Sequence, residues 1–102
     1  MTITVQAPPV SAAEARVLLD ASSDRTSTGL RNRALIALLW RVGVRPGEAL
    51  ALGVSEIDLD ASTIEVGDRV VGIDGVAHAE VGPWLARRSE LGLPDTGPFI
   101  ST

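Results

Sequence analysis

Cysteine is absent from the 102 residues, which excludes a disulfide framework and any thiolate metal site. It also fits a reducing compartment, so the cytoplasm is the expected location. Lysine is absent too. Nine arginines stand against thirteen acids for a net charge of −4, the reverse of the basic footprint that a free-standing nucleic-acid-binding module carries. Aromatic residues are scarce, with two Trp, one Phe and no Tyr, so the core has to be built from aliphatic side chains. No apolar run approaches the ~20 residues of a membrane span. The opening "MTITVQAPPV" lacks the basic start of a secretory signal. These absences leave a soluble, unprocessed chain with no membrane association, long enough for one modest domain and too short for two.

What is present reads as an ordered series of elements. Residues 1–10, with Pro8 and Pro9, read as an extended lead-in. "SAAE" places Ser11 three residues before Glu14, the capping-box spacing, and predicts a helix over 12–21. After the polar stretch 22–29, Thr28 is the expected N-cap of a helix over 29–42. Its apolar residues Leu30, Ala34, Leu35, Leu38, Leu39 and Val42 recur at three- and four-residue spacing. Gly43 suits the left-handed residue that ends a helix. Pro46 suits the first turn of the next one, over 46–52, with Arg45 at its cap and Glu48 in the first turn. β-Branched residues alternating between 57 and 74 predict a small three-stranded antiparallel sheet turning at Gly67 and Asp68. The pattern is helical again from 76 to 91, interrupted by Gly82 and Pro83: either one helix kinks there or a short turn precedes a helix over 83–91, and the second is expected, with Gly82 as its cap and Pro83 at its first position. The fold class is α+β, mostly helical, and residues 11–102 form one unit.

The stretch "GLRNRALIALLWRVGVRPGEALALGVSEIDLDASTIEV" resembles the start of the catalytic domain of the tyrosine recombinases, the phage integrase family. Arg31, Arg33, Ala34 and Leu35 match the first helix of that pattern. Gly43, Val44, Arg45, Glu48 and Leu52 match the next segment, and Ile57, Asp58 and Leu59 the entry to the hairpin. Agreement over several consecutive elements is more specific than any lone motif. The resemblance covers residues 11–74 well and 75–102 loosely. It implies the first half of a recombinase catalytic domain, with DNA as partner and Arg45 as the first of two arginines that hold the scissile phosphate. A guanidinium suits that role because its planar fork pairs two phosphate oxygens and stays charged. Glu48 is the supporting acid, although compensation of the helix N-terminus explains it equally well. For Arg45 the plain alternative is a surface ion pair with Glu48 or a neighbouring acid.

The pattern breaks in three places. The family's nucleophile is a tyrosine that forms a phosphotyrosyl link, and this chain has none, so covalent catalysis by the chain alone is excluded. The family's His-x-x-Arg element belongs further along than this sequence runs. The hairpin lysine that protonates the leaving oxygen is missing from "IEVGDRVVGID", where Arg69 matches only the trailing arginine. A guanidinium surrenders its proton too reluctantly to replace that lysine, which leaves Arg69 an exposed strand residue or a backbone-phosphate contact.

The remaining candidates are weaker. Arg87 and Arg88 are possible DNA contacts, although adjacent arginines on a helix are more often solvated. His78, the only histidine, lacks the Arg three residues later and reads as a surface or partly buried helix residue. Trp40 and Trp84 read as core or interface anchors. The acids of "DLD" at 58–60 lack further ligands, so no metal and no cofactor is expected.

Three readings follow. The first is a fragment of a DNA-breaking and rejoining recombinase, inactive alone. The second is a non-catalytic interaction module or decayed remnant that binds DNA or a recombinase protomer without chemistry. The third is a marginally folded piece whose helix over 30–42 exposes its apolar face and self-associates.

Overall fold

The computed structural model describes residues 10–101; the extended lead-in read at 1–10 lies, apart from Val10, outside them. Four α-helices and a three-stranded sheet follow in the order α1 (Ala12–Asp20), α2 (Ser27–Ala37), α3 (Pro46–Ala51), β1 (Ile57–Asp58), β2 (Thr63–Val66), β3 (Arg69–Gly72) and α4 (Gly75–Glu90). The α+β, mostly helical class read from the sequence is the class observed.

Helix α1 starts on a complete capping box. The Glu14 N–H donates to Ser11 Oγ at 3.1 Å, and the Ser11 N–H donates to Glu14 Oε1 at 3.2 Å. Helix α2 begins two residues before the expected start because Thr26, not Thr28, is its cap, with Oγ1 accepting from the Gly29 N–H at 3.0 Å. Gly29 therefore falls inside the helix. It packs so closely on the preceding loop that a Cβ there would overlap the Ser23 carbonyl oxygen.

The end of this segment also differs from a plain α-helix. Residues Leu38–Val42 widen into a π-turn, and the Gly43 and Val44 N–H groups both reach the Leu38 carbonyl, at 2.9 and 3.2 Å. Gly43, at φ 77°, supplies the left-handed residue this ending needs. The widened turn lets Leu38 and Val44 both point into the core, where each is at most 1% exposed.

The expected break before Pro83 does not occur. One helix, α4, runs from Gly75 to Glu90 with Pro83 inside it, capped by Asp74 and not by Gly82. Asp74 Oδ1 accepts from the Ala77 N–H at 2.9 Å. An internal proline costs a helix about 3 kcal/mol. Here the ring lies on the exposed side, while Ala77, Val81 and Trp84 on the other face are buried along α2. That burial offsets the lost hydrogen bond.

The sheet order is β1-β2-β3, antiparallel throughout, with Ile57 opposite Ile64 and Val66 opposite Arg69. Gly67, at φ 62°, occupies the first central position of the two-residue turn, which glycine fills without strain. Ile64 and Val66 face the core, whereas Val70, opposite Glu65, is exposed.

The core joins Leu30, Ala34, Leu38, Val44, Leu52, Ile64, Val81, Trp84 and Phe99. The apolar face of the 30–42 segment is thus covered, chiefly by α4 with α1 and α3 beside it, contrary to the marginally folded reading. The last described segment is anchored as well. The Phe99 N–H donates to the Leu52 carbonyl at 2.9 Å, and Trp84 Nε1–H donates to the Phe99 carbonyl at 2.7 Å.

Candidate functional site

The turn between the π-turn and α3 sorts three neighbouring residues by environment. Gly43 reverses the chain, Val44 is driven into the core, and Arg45, in extended backbone at ψ 153°, is left in solvent ahead of Pro46. Glu48 Oε1 accepts from the Arg45 backbone N–H at 2.9 Å and from Arg69 Nη2 at 3.1 Å. The Arg45 N–H, with the Arg69 guanidinium adding to it, holds the Glu48 carboxyl below the usual carboxylate range. Among the described residues the Arg45 guanidinium makes no hydrogen bond and no salt bridge. The Arg45 charge still adds to the lowering of the Glu48 carboxyl, although the guanidinium comes within salt-bridge distance of no acid among the described residues.

Arg69, from the start of β3, is thus brought to the start of α3, where Arg45 and Glu48 are neighbours in sequence. Beside them a shallow groove between α3 and the hairpin is lined by Glu48, Ala51, Leu52, Glu56, Glu65 and Val66. Glu56 is tied to the Gly53 N–H at 2.8 Å. The groove is acidic, so an anion can approach the rim but not the groove floor.

The other candidates lie elsewhere. Arg87 faces Glu90 at 3.7 Å. Arg88 does not belong to an exposed DNA-contacting pair, nor is it solvated: it is 4% exposed and donates from Nη2 to the Pro94 carbonyl at 3.1 Å. Its position on the buried stripe of α4, four residues after Trp84, turns it inward. His78 Nε2 lies 3.3 Å from the Leu59 carbonyl. Among the described residues no three His, Cys, Asp or Glu side chains gather as metal ligands. Trp84 is buried, and Trp40 lies under the Arg41 guanidinium at 5.1 Å.

Two ion pairs had no signal in the sequence. Arg33 grips Glu80 through Nε and Nη2, at 2.6 and 3.1 Å, and its Nη1 donates to the Leu19 and Ser22 carbonyls at 2.9 and 3.1 Å. Arg41 donates from Nε to Asp74 at 2.8 Å. The Ala77 N–H and then Arg41 lower the Asp74 carboxyl below its ordinary range. Neither pair is local, so no spacing rule points to it.

No protein-family model matches the chain. Individual relatives do. The tyrosine recombinase XerC of Shewanella amazonensis is 30% identical over 78 residues, covering 72% of this chain and 26% of that protein. The tyrosine recombinase XerD of Ralstonia nicotianae is 33% identical over 91 residues, covering 82% of this chain and 30% of that one. Among solved structures, a XerA recombinase superposes with a TM-score of 0.74 at 28% identity, covering 97% of this chain and 36% of the other. No described helix is long and apolar enough to cross a membrane. In sequence and in fold, this chain belongs to the tyrosine recombinase family, of which it carries a segment amounting to 26–30% of the length of these two curated relatives.

Proposed function

We propose that the chain contributes the first phosphate-binding part of a recombinase that breaks and rejoins DNA, with Arg45 contacting the scissile phosphate. The observation that carries this reading is the state of Arg45: an exposed guanidinium with no donor engaged among the described residues, on a backbone held by Glu48, at the position that matches the family's phosphate-binding arginine. Glu48 serves as the support that holds the start of α3. Having no tyrosine, the 102 residues alone form no phosphotyrosyl link and cleave no DNA. Arg87 keeps a secondary role as a backbone contact, because its pair with Glu90 is long and solvent-exposed.

The test is a salt titration with a DNA duplex. Affinity that falls as salt rises, and that is weakened by Arg45→Ala, supports the reading. A duplex left unbound at low salt sinks it.

A second reading, a non-catalytic module that binds a recombinase protomer, is favoured by one observation. The groove next to Arg45 carries Glu48, Glu56 and Glu65 in a chain with a net charge of −4, which suits a basic protein surface better than a phosphate backbone. It takes the lead if the duplex is not bound.

A further inference from the structure

The nine arginines fall into three groups. Arg33, Arg41, Arg69 and Arg87 each face an acid at 3.7 Å or less, and Arg16, Arg25 and Arg45 stand in water. Arg31 and Arg88 have neither. Arg31 is half-buried, and its guanidinium meets only neutral oxygens, the Ser101 carbonyl and Asn32 Oδ1, both at 3.3 Å. Arg88 is buried with the Pro94 carbonyl as its partner, and its Nε has none among the described residues. A charge taken out of water without a counter-ion is costly. Both arginines belong to the same end of the molecule. A cleft of about 290 Å³ between the start of α2 and the end of α4 is lined by Thr28, Arg31, Trp84, Leu91, Leu93 and Ser101, and Arg88 follows Trp84 by one turn on the buried stripe of α4. No lining residue is acidic. Of the acids next in sequence, Glu90 faces Arg87 and Asp95 is exposed outside the lining.

We infer that this cleft is the docking site for a segment of a protein partner that presents an apolar side chain next to a carboxylate. The inference stands apart from both readings of the α3 groove. The charge of the occupant follows from Arg31, whose planar fork can exchange two long contacts with neutral oxygens for a bidentate carboxylate. The same anion offsets the unpaired charge of Arg88 in surroundings of low dielectric. The apolar part follows from the walls: Leu91 is 52% exposed, and a side chain lying on Leu91 and Leu93 removes that surface from water. A phosphate would use Arg31 and leave those walls wet. The volume suits one or two side chains, in keeping with an apolar pocket that carries few polar groups.

The experiment follows the Arg31 Nε–Hε signal and the Leu91 and Leu93 methyl signals of the 102-residue chain by NMR while a capped tripeptide, acetyl-Leu-Glu-Leu-amide, is added at millimolar concentration. These signals are expected to shift saturably while the methyls of Val17, on α1, stay in place. The Gln counterpart of the peptide should bind about five- to tenfold more weakly, as the loss of a charge-assisted pair implies. Arg31→Gln should abolish that preference, Arg31→Lys should keep most of it, and Leu93→Ser should weaken both peptides alike. Equal binding of the two peptides by the native chain, a preference that survives Arg31→Gln, or no shift with either peptide overturns the inference. So do cleft signals that move with inorganic phosphate or a DNA duplex and not with the peptide, which would make the cleft a nucleic-acid contact. The Arg45 signal, followed in the duplex titration, reports on the phosphate-binding reading separately, so either proposal can fail without the other.

Discussion

Arg33 and Arg45 both lie in the stretch that matches the recombinases, yet the structure uses them in opposite ways. Arg33 sits between α2 and α4 with four hydrogen bonds to Glu80, Leu19 and Ser22, and its side chain is three-quarters covered. Arg45 sits on the rim of α3 with its backbone N–H engaged and its guanidinium hydrogen-bonded to none of the described residues. The α2–α4 side of the molecule encloses its arginines: Arg88 is buried as well, although only its Nη2 finds a partner, in the Pro94 carbonyl. On the α3–hairpin side Arg69 is paired with Glu48 but remains half exposed. Both residues match the family pattern, and what separates them is whether their donors are already engaged within the described residues.

The contrast can be broken from the packed side first. Trp84→Ala removes a side chain that is 3% exposed together with its hydrogen bond to the Phe99 carbonyl. It should cost about 3–5 kcal/mol in denaturant unfolding, and a loss near zero would mean that the segment at Phe99 is not docked. Arg33→Ala should cost about 2 kcal/mol, between the values for exposed and fully buried pairs, because Glu80 loses its partner. Should the stability be unchanged, the assignment of Arg33 to the scaffold is wrong.

A smaller effect is expected at the cap of α4. Asp74→Ala should cost about 1 kcal/mol. The sign of its pH dependence follows from the lowered carboxyl: the contribution is fully present above the ordinary carboxylate range and disappears as pH falls through the folded value. Native stability should thus drop below about pH 4, and the Asp74→Ala variant should show a shallower drop. Parallel acid curves for the two proteins would contradict this. The smallest change is on the open side. Arg45→Ala should alter stability by no more than about 0.5 kcal/mol, since the guanidinium is exposed and has no hydrogen-bond partner among the described residues; a large loss would place it with Arg33.

The parts legible from sequence were those governed by local rules. The capping box at Ser11, the glycine stop at Gly43, the turn at Gly67 and the alternation of Ile64 and Val66 all depend on neighbours within a few residues. The continuous α4 was legible only as the second choice, because the preference of Gly82 and Pro83 for a break is overridden by burial of Ala77, Val81 and Trp84 against a distant helix. The Thr26 start of α2 was missed because Thr26 and Thr28 offer the same capping hydroxyl, and the close packing of Gly29 on Ser23 that goes with the earlier start depends on the preceding loop. At the site, Arg45 and Glu48 could be singled out from their motif. The meeting of Arg69 with Glu48, and the burial of Arg88, depend on how the hairpin and α4 pack, which no spacing encodes.

The most direct measurement follows the Nε–Hε NMR signals of the arginines while duplex DNA is added at low salt. The account predicts that the Arg45 signal moves early and saturably while those of Arg33 and Arg88 stay in place. An unmoved Arg45 signal, or one that moves no more than that of Arg33, would contradict the claim that the free guanidinium on the α3 rim is the phosphate-binding group.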